Sequence, residues 1–242
     1  MKLTVIGCGD AFGSGGRLNT CFYIKAEKIG VLIDCGATSL PGLKLRGIAV
    51  EDIDTIVLSH FHGDHYGGVP FLLLDAMITG RTKKISIISP PGGREKITAL
   101  LDLLYPGTVV LPKLAVDFIE YRSFEELNRE GLSVIAYPVI HSEAALPHGL
   151  KIKIDDKTIS YSGDTSWTDE LLPLSDGADL FICECNFDTT EVMGHINYQQ
   201  LAPKLADFNC KKIVLTHFDT EMLRRLNEVD AACAEDGLEI SI

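Results

Sequence analysis

The chain has 242 residues, 46% of them hydrophobic and 23% charged, and a formal net charge of −12. That length suits one α/β domain, and the apolar fraction is enough to bury a sizeable core. The acidic balance argues against a nucleic-acid partner, because a polyanion is held by clustered Lys and Arg and the basic pairs Lys83-Lys84 and Lys211-Lys212 stand isolated.

Alternation, β-branching and turn residues predict strands at 3–7, 21–26, 30–34, 55–59, 85–89 and 116–121. A second series is predicted at 132–139, 149–154, 158–162, 179–183, 212–216 and 237–242. Helices are predicted at 66–79, 92–105, 167–176, 198–208 and 219–234. The second of these opens after Pro90-Pro91-Gly92-Gly93 and carries Ile97, Leu100, Leu101 and Leu104 at helical spacing. An internal echo accompanies the pattern. Residues 5–36 run strand, loop, strand, turn, strand and end in Asp34-Cys35-Gly36; residues 134–165 do the same and end in Gly163-Asp164-Thr165. Each half then supplies one sheet. Apolar sheet faces must be buried, so the expected architecture is two mixed sheets packed face to face with helices outside. No linker or low-complexity segment divides the chain, which reads as a single domain over 1–242.

The start Met1-Lys2-Leu3-Thr4-Val5-Ile6-Gly7 lacks the apolar stretch and cleavage site of a signal peptide. No run approaches the ~18 apolar residues of a membrane span. Seven Cys without paired spacing point to reduced thiols and a cytoplasmic protein. Cys183 and Cys185 share a strand face and read as core thiols.

Residues His60-Phe61-His62-Gly63-Asp64-His65 concentrate three of the seven histidines and a carboxylate just after the strand Thr55-Ile56-Val57-Leu58-Ser59. In extended backbone, side chains two apart point the same way, so His60 and His62 converge on one point. Gly63 permits a sharp turn, after which Asp64 and His65 aim at a second point nearby. Two adjacent metal sites fed by one loop are the reading; a solvated His-rich turn is the bland alternative. Three further candidates end strand-like runs: His141, Asp164 and His217. Rigid strands that deliver ligands to one edge are a way to build such a site.

His-x-His-x-Asp-His followed by His141, by Asp164 in Ser-Gly-Asp-Thr and by His217 in Leu-Thr-His-Phe resembles the metallo-β-lactamase superfamily. Gly7-Cys8-Gly9, Arg17-Leu18-Asn19-Thr20, Asp34-Cys35-Gly36, Glu184 and Gly194-His195 extend the resemblance to its tRNase Z-like branch, which also holds cyclic phosphodiesterases. The resemblance implies the four-layer αβ/βα metallo-β-lactamase fold. It implies that His60, His62 and His141 hold one metal, that Asp64, His65 and His217 hold another, and that Asp164 bridges them. A carboxylate has two oxygens, each able to bind one cation. The classical β-lactamases lack this Asp, which moves the chain away from antibiotic hydrolysis. An imidazole and carboxylate shell suits Zn²⁺ first, with Mn²⁺ and Fe²⁺ also compatible.

Around that shell, Asp64, His195 and Glu184 are the expected catalytic groups. Arg17, His195 and Asn197 are the expected substrate contacts: Arg17 as an anion grip from a Gly-rich loop, and Asn197 paired with Gln200 as a cap opening a helix whose N-terminus attracts anions. His148 reads as a rim residue. Two departures from the tRNase Z pattern stand out. Cys183 occupies the position of a His before the Glu, and no basic arm for tRNA is inserted. The resulting expectation is a binuclear metal-dependent hydrolase, a phosphodiesterase for a small or cyclic phosphodiester attacked by a metal-bridging hydroxide. Its partner is a small anionic ester, with neither membrane nor nucleic acid, and a homodimer is left open. A glyoxalase II-like or lactonase-like (thio)ester hydrolase is the alternative within the same chemistry. A mononuclear Fe dioxygenase or a non-catalytic metal-binding protein is the alternative of another class, against which a bridging Asp164 argues.

Overall fold

The structure, a computed structural model, describes residues 1–129 and 131–242. In the first half, β1 (Lys2–Gly7), β2 (Cys21–Lys25) and β3 (Gly30–Ile33) pair antiparallel, and β4 (Thr55–Val57), β5 (Ile85–Ser89) and β6 (Val116–Glu120) then add in parallel. The helices α1 (Ser39–Leu45), α2 (Gly63–Tyr66), α3 (Val69–Ile78) and α4 (Gly93–Leu104) lie between these strands in sequence.

The second half repeats the plan. Strands β7 (Glu126–Arg129), β8 (Leu132–Pro138), β9 (His148–Ile154) and β10 (Lys157–Tyr161) are antiparallel, and β11 (Leu180–Glu184), β12 (Ile213–Thr216) and β13 (Ala232–Cys233) follow in parallel. They alternate with α5 (Leu171–Ser175), α6 (Tyr198–Leu201) and α7 (Thr220–Leu223). The last strand, β14 (Glu239–Ser241), returns to the first sheet beside β1, so each sheet has seven strands. The echo in the sequence is thus a real repeat: β1–β3 correspond to β8–β10, and Asp34 to Asp164.

Period-two alternation sorts the side chains. Leu3, Val5, Phe22, Ile24, Val31 and Ile33 face Val134, Ala136, Leu150, Ile152, Leu180 and Ile182 in the core between the sheets. The opposite faces carry Tyr23, Leu32 and Ile56 under Leu43, Leu72, Leu73 and Ile97, and Phe181 and Leu215 under Leu171, Leu174 and Met222. Burying each such side chain contributes roughly 1.5–3 kcal/mol, and the result is the expected αβ/βα layering. Arg81 staples the outer layer, its guanidinium donating to the carbonyls of Val50, Ile53, Lys83 and Lys84 at 2.6–3.1 Å.

Several boundaries differ from those predicted. Helix α1 is absent from the sequence reading because Pro41 and Gly42 look like breakers. Pro41 instead sits in the first turn, where its missing N–H costs nothing, and a Cβ on Gly42 would stand 2.8 Å from Ile6. Strand β7 is missed because it is a polar edge strand with only Leu127 half-buried. The expected helix 219–234 is wrong beyond its first turn. Met222, Leu223, Leu226 and Val229 have helical spacing, but Ala232 and Cys233 pair with Val214 and Leu215 instead, and sheet pairing overrides the local pattern. The expected helix 66–79 begins earlier, as α2, and is broken at Gly67-Gly68.

Candidate metal centre

The ends of β4, β8, β10 and β12 meet at one edge of the sandwich, and they bring the expected ligands together. Ligand atoms of His60, His62, His141 and Asp164 lie within 4.8 Å of one another, as do those of Asp64, His65, Asp164 and His217. Asp164 belongs to both groups. One of its oxygens, Oδ2, faces both: it stands 3.2 Å and 3.4 Å from Nε2 of His65 and His217, and 3.8 Å and 3.9 Å from Nε2 of His60 and His141. Asp64 Oδ2 lies 3.3 Å from Nε2 of both His65 and His217.

The spacings among Asp64, His65, Asp164 and His217 fit a cation: ligands 2.0–2.2 Å from a tetrahedral Zn²⁺ stand about 3.3–3.6 Å apart, whereas the 3.8 and 3.9 Å from Asp164 Oδ2 to His60 and His141 are wider. Three buried atoms here, His60 Nε2, His65 Nε2 and Asp164 Oδ1, have no hydrogen-bond partner, and such atoms are costly unless something else satisfies them. His141 Nε2 faces His62 Nδ1 at 3.0 Å, an arrangement that a shared cation also explains.

The ligands are held from behind. His65 Nδ1 is 2.7 Å from Asp34 Oδ2, and Asp34 also accepts from the amide and hydroxyl of Ser59. That hydroxyl lies 2.9 Å from His60 Nδ1. His141 Nδ1 meets the Gly194 carbonyl at 2.8 Å, and Asn186 Nδ2 lies 2.7 Å from His217 Nδ1. Each partner fixes its ring's orientation, and the acceptors, Asp34 and the Gly194 carbonyl, also raise ligand basicity. Asp34 and His217 adopt positive φ, 56° and 66°, a strain that concentrates at functional sites. Gly194 has φ 91°, and a Cβ there would stand 2.6 Å from His141 Nδ1, so only glycine fits.

Charge divides the two groups when no cation is counted. Burial lowers the pKa of His60 and His141, the latter to about 4. Burial also opposes charge on His65 and His217, but the carboxylates of Asp164 and Asp64 outweigh it and raise both.

Beside the ligands, Glu184 is fully buried and accepts from the amides of Thr165 and Ile196. Its Oε1 lies 3.2 Å from His195 Nδ1. Burial opposes a charged His195 ring, yet the charge of Glu184 and this hydrogen bond push its pKa up to about 9. The ring stacks on His217 at 5.7 Å and meets His141 edge-on at 4.9 Å. A cavity of about 600 Å³ opens over Asp64, Asp164, His195 and His217, and Phe12, 92% exposed, stands at its rim.

Some expected contacts are not brought there. Arg17 points away: its guanidinium donates to the Ala234 carbonyl and lies 3.1 Å from Cys8 Sγ and 5.5 Å from the Phe218 ring. It is a staple for the C-terminal segment and does not line the metal cavity. Asn197 does cap α6, accepting from Gln200 N at 2.9 Å. However, it is buried and α6 has four residues, too short for the expected anion-attracting terminus. Gly63 begins α2 with nothing within 4 Å of a Cβ there, so the turn needs no glycine. His148 sits apart, between Ser123 and Leu146. Asp34 and Asn186 have no assigned role in the sequence reading; the motif Asp34-Cys35-Gly36 and the internal echo, which sets Asp34 opposite Asp164, single out the first, and nothing local singles out the second.

Comparison with known proteins identifies the family and the fold. The family model described as Anti-Pycsar protein Apyc1 matches residues 1–233. The chain belongs to the Apyc1 family. This Apyc1-family chain is 28% identical over 223 residues to the "Probable metallo-hydrolase YhfI" of Bacillus subtilis, covering 90% of this chain and 86% of that protein. It is 24% identical over 279 residues to a Ribonuclease Z of Ignicoccus hospitalis, covering 94% and 92%. The crystal structure of the metallo-β-lactamase fold protein YhfI superposes with a TM-score of 0.80 at 22% identity, over 99% of both chains. Human tRNase Z, short form, gives 0.80 at 25% identity over 100% and 99%. The Apyc1-family chain is therefore a metal-dependent hydrolase with the metallo-β-lactamase fold, in the tRNase Z-like and phosphodiesterase branch. Among the described residues no helix is long and apolar enough to cross a membrane.

Proposed function

We propose that the protein is a binuclear phosphodiesterase for small or cyclic phosphodiesters. The observation that carries this reading is Asp164 Oδ2, set between two groups of three further ligands. On this reading His60, His62 and His141 hold one divalent ion, Asp64, His65 and His217 the other, with Zn²⁺ the first candidate by ligand type. Two such cations supply an activated water and neutralise charge on phosphoryl oxygens.

The chain's own groups do the rest. Glu184 holds His195 Nδ1 and keeps the ring protonated, which leaves Nε2 to hand a proton to the departing oxygen. Asp34 and Asn186 orient the His65 and His217 rings from their Nδ1 sides. The cavity is of a size that encloses a small ligand, and among the described residues no Lys or Arg lines it, so the charge of the phosphoryl group itself is met by the cations and His195. A long polyanion has no basic track to follow. Residues 1–242 act as one domain in this proposal, supported by an inter-sheet core that draws on residues from Leu3 to Ala234. Seven free cysteines support a reducing, cytoplasmic setting.

The test is a panel assay of metal-loaded protein on bis-p-nitrophenyl phosphate, cyclic nucleotides, thioesters, lactones and precursor tRNA. The reading expects turnover confined to the first two. Turnover of thioesters or lactones without phosphodiesters would replace it with carbonyl hydrolysis.

A further inference from the structure

A second cavity, of about 640 Å³, adjoins the metal cavity and shares His195 and Val192 with it. Its chemistry is different. Trp167 and Lys204 line it, with Lys204 Nζ 4.4 Å from the ring centre. The indole is anchored, packing on Phe208 at 5.9 Å between ring centres and placing Nε1 3.3 Å from Asp169. Both Trp167 and Lys204 are half-buried. Among the described residues, Lys204 is the one Lys or Arg lining either cavity, where it stands with the His195 ring and the exposed Glu191, in a chain of net charge −12.

We propose that this cavity receives the leaving-group end of the substrate and that Lys204 selects substrates carrying a second anionic group there. The inference rests on the proposed function in one respect: it takes His195 as the group at the departing oxygen. With the phosphoryl group at the metal cavity and the departing oxygen at His195, the remainder of the substrate continues past that ring. The Trp167 cavity is the space that His195 also lines. An ammonium held on an aromatic face is partly desolvated and keeps N–H donors. A carboxylate or phosphate reaching it gains charge-assisted hydrogen bonds in a partly dry site. Trp167 supplies the flat wall against which the part between the two anionic groups lies.

Trp167 is the only tryptophan in the chain, so its fluorescence reads this cavity directly. The experiment titrates metal-loaded protein with adenosine, adenosine 5′-monophosphate and adenosine 3′,5′-bisphosphate, exciting at the indole edge. Saturable change in Trp167 emission is expected, with the bisphosphate binding about tenfold tighter than the monophosphate, as one added charge-assisted contact implies. Lys204→Gln should erase that preference, Lys204→Arg should retain it, and both should keep wild-type metal content. Equal affinity for the two phosphates, a preference that survives Lys204→Gln, or an unchanging emission overturns the proposal. Because the readout is binding, it stands apart from the panel assay. A protein that shows the preference but cleaves no phosphodiester refutes the proposed function and leaves the anion subsite standing.

Discussion

Asp34 and Asp164 address opposite nitrogens of one ring: Asp34 Oδ2 lies 2.7 Å from His65 Nδ1, and Asp164 Oδ2 lies 3.2 Å from His65 Nε2. The two carboxylates end corresponding strands, β3 and β10, of the two halves of the sandwich. On the proposed reading, one half uses its copy to aim a ligand, and the other uses its copy as a ligand. A carboxylate on Nδ1 fixes the tautomer that leaves Nε2 open to a cation, so the repeat divides one task between its halves.

Asp34→Asn should therefore weaken the ion on Asp64, His65 and His217 while the other ion stays. The expected cost is about 10–100-fold in affinity, as for other groups that orient a ligand. Competition with a chromophoric zinc chelator measures it. Unchanged affinity for both ions would reduce Asp34 to a structural role.

Asp164→Ala should damage both sites at once, whereas His141→Ala should damage mainly one. The shared Oδ2 stands between both groups, and like-charged cations close together repel unless an anion separates them. Elemental analysis of both variants decides it: retention of two tightly bound ions by Asp164→Ala contradicts the bridging role.

Acidification should release the two ions in sequence. Without a cation, Asp164 and Asp64 raise the pKa of His65 and His217, so a metal must displace protons from those rings near neutrality. His60 and His141 have lowered pKa values, with His141 at about 4, and are already neutral there. The sign follows: the ion on Asp64, His65 and His217 leaves first as pH falls. Metal content after dialysis at stepped pH should pass through a plateau near one ion per chain, and simultaneous loss would contradict the assignment.

The seven candidate ligands that the fold brings together were legible in the sequence because strands end where they cluster, and six residues from His60 to His65 hold four of them. Most strands were legible too, since period-two alternation matches the two faces each strand buries. What was not legible was mostly long-range. Arg17 has a neighbour at Ala234 that only the returning C-terminus supplies. Residues 219–234 look helical in isolation but are claimed by pairing with β12. Asn186 sits behind His217 through a contact spanning 31 positions, which no local pattern announces.

Precursor tRNA should be a poor ligand and remain uncleaved at physiological salt, although ribonuclease Z enzymes are among the relatives. Holding a tRNA requires several phosphates to be neutralised, and among the described residues no Lys or Arg lines the metal cavity. The position before Glu184 holds Cys183, fully buried in the outer core and so turned from the cavity. A gel shift with a cleavage assay measures this. Specific cleavage near the 3′ end would return the chain to tRNA processing.

His195→Ala should keep both metals and lose activity in proportion to how poor the leaving group is. Glu184 is fully buried, and its Oε1 lies 3.2 Å from His195 Nδ1, so the pair can store a proton. With its pKa at about 9, the ring is protonated at neutral pH and loses that proton as pH rises through that value. Bound cations shift the midpoint downward, because positive charge close to the ring disfavours the imidazolium. An acid of this kind contributes about 10²–10⁴ in rate, and it matters most for an alkoxide that leaves badly. An alkyl phosphodiester should lose about that factor in the variant, while p-nitrophenyl esters, whose phenolate needs little help, should lose far less. The wild-type rate on the alkyl substrate should fall on the alkaline side, and this limb should vanish in His195→Ala. Glu184→Gln should move the same limb to lower pH, since the neutral amide no longer stabilises the imidazolium. Equal losses on the two substrate types would assign His195 to phosphate binding. Loss of metal in His195→Ala would make it a ligand.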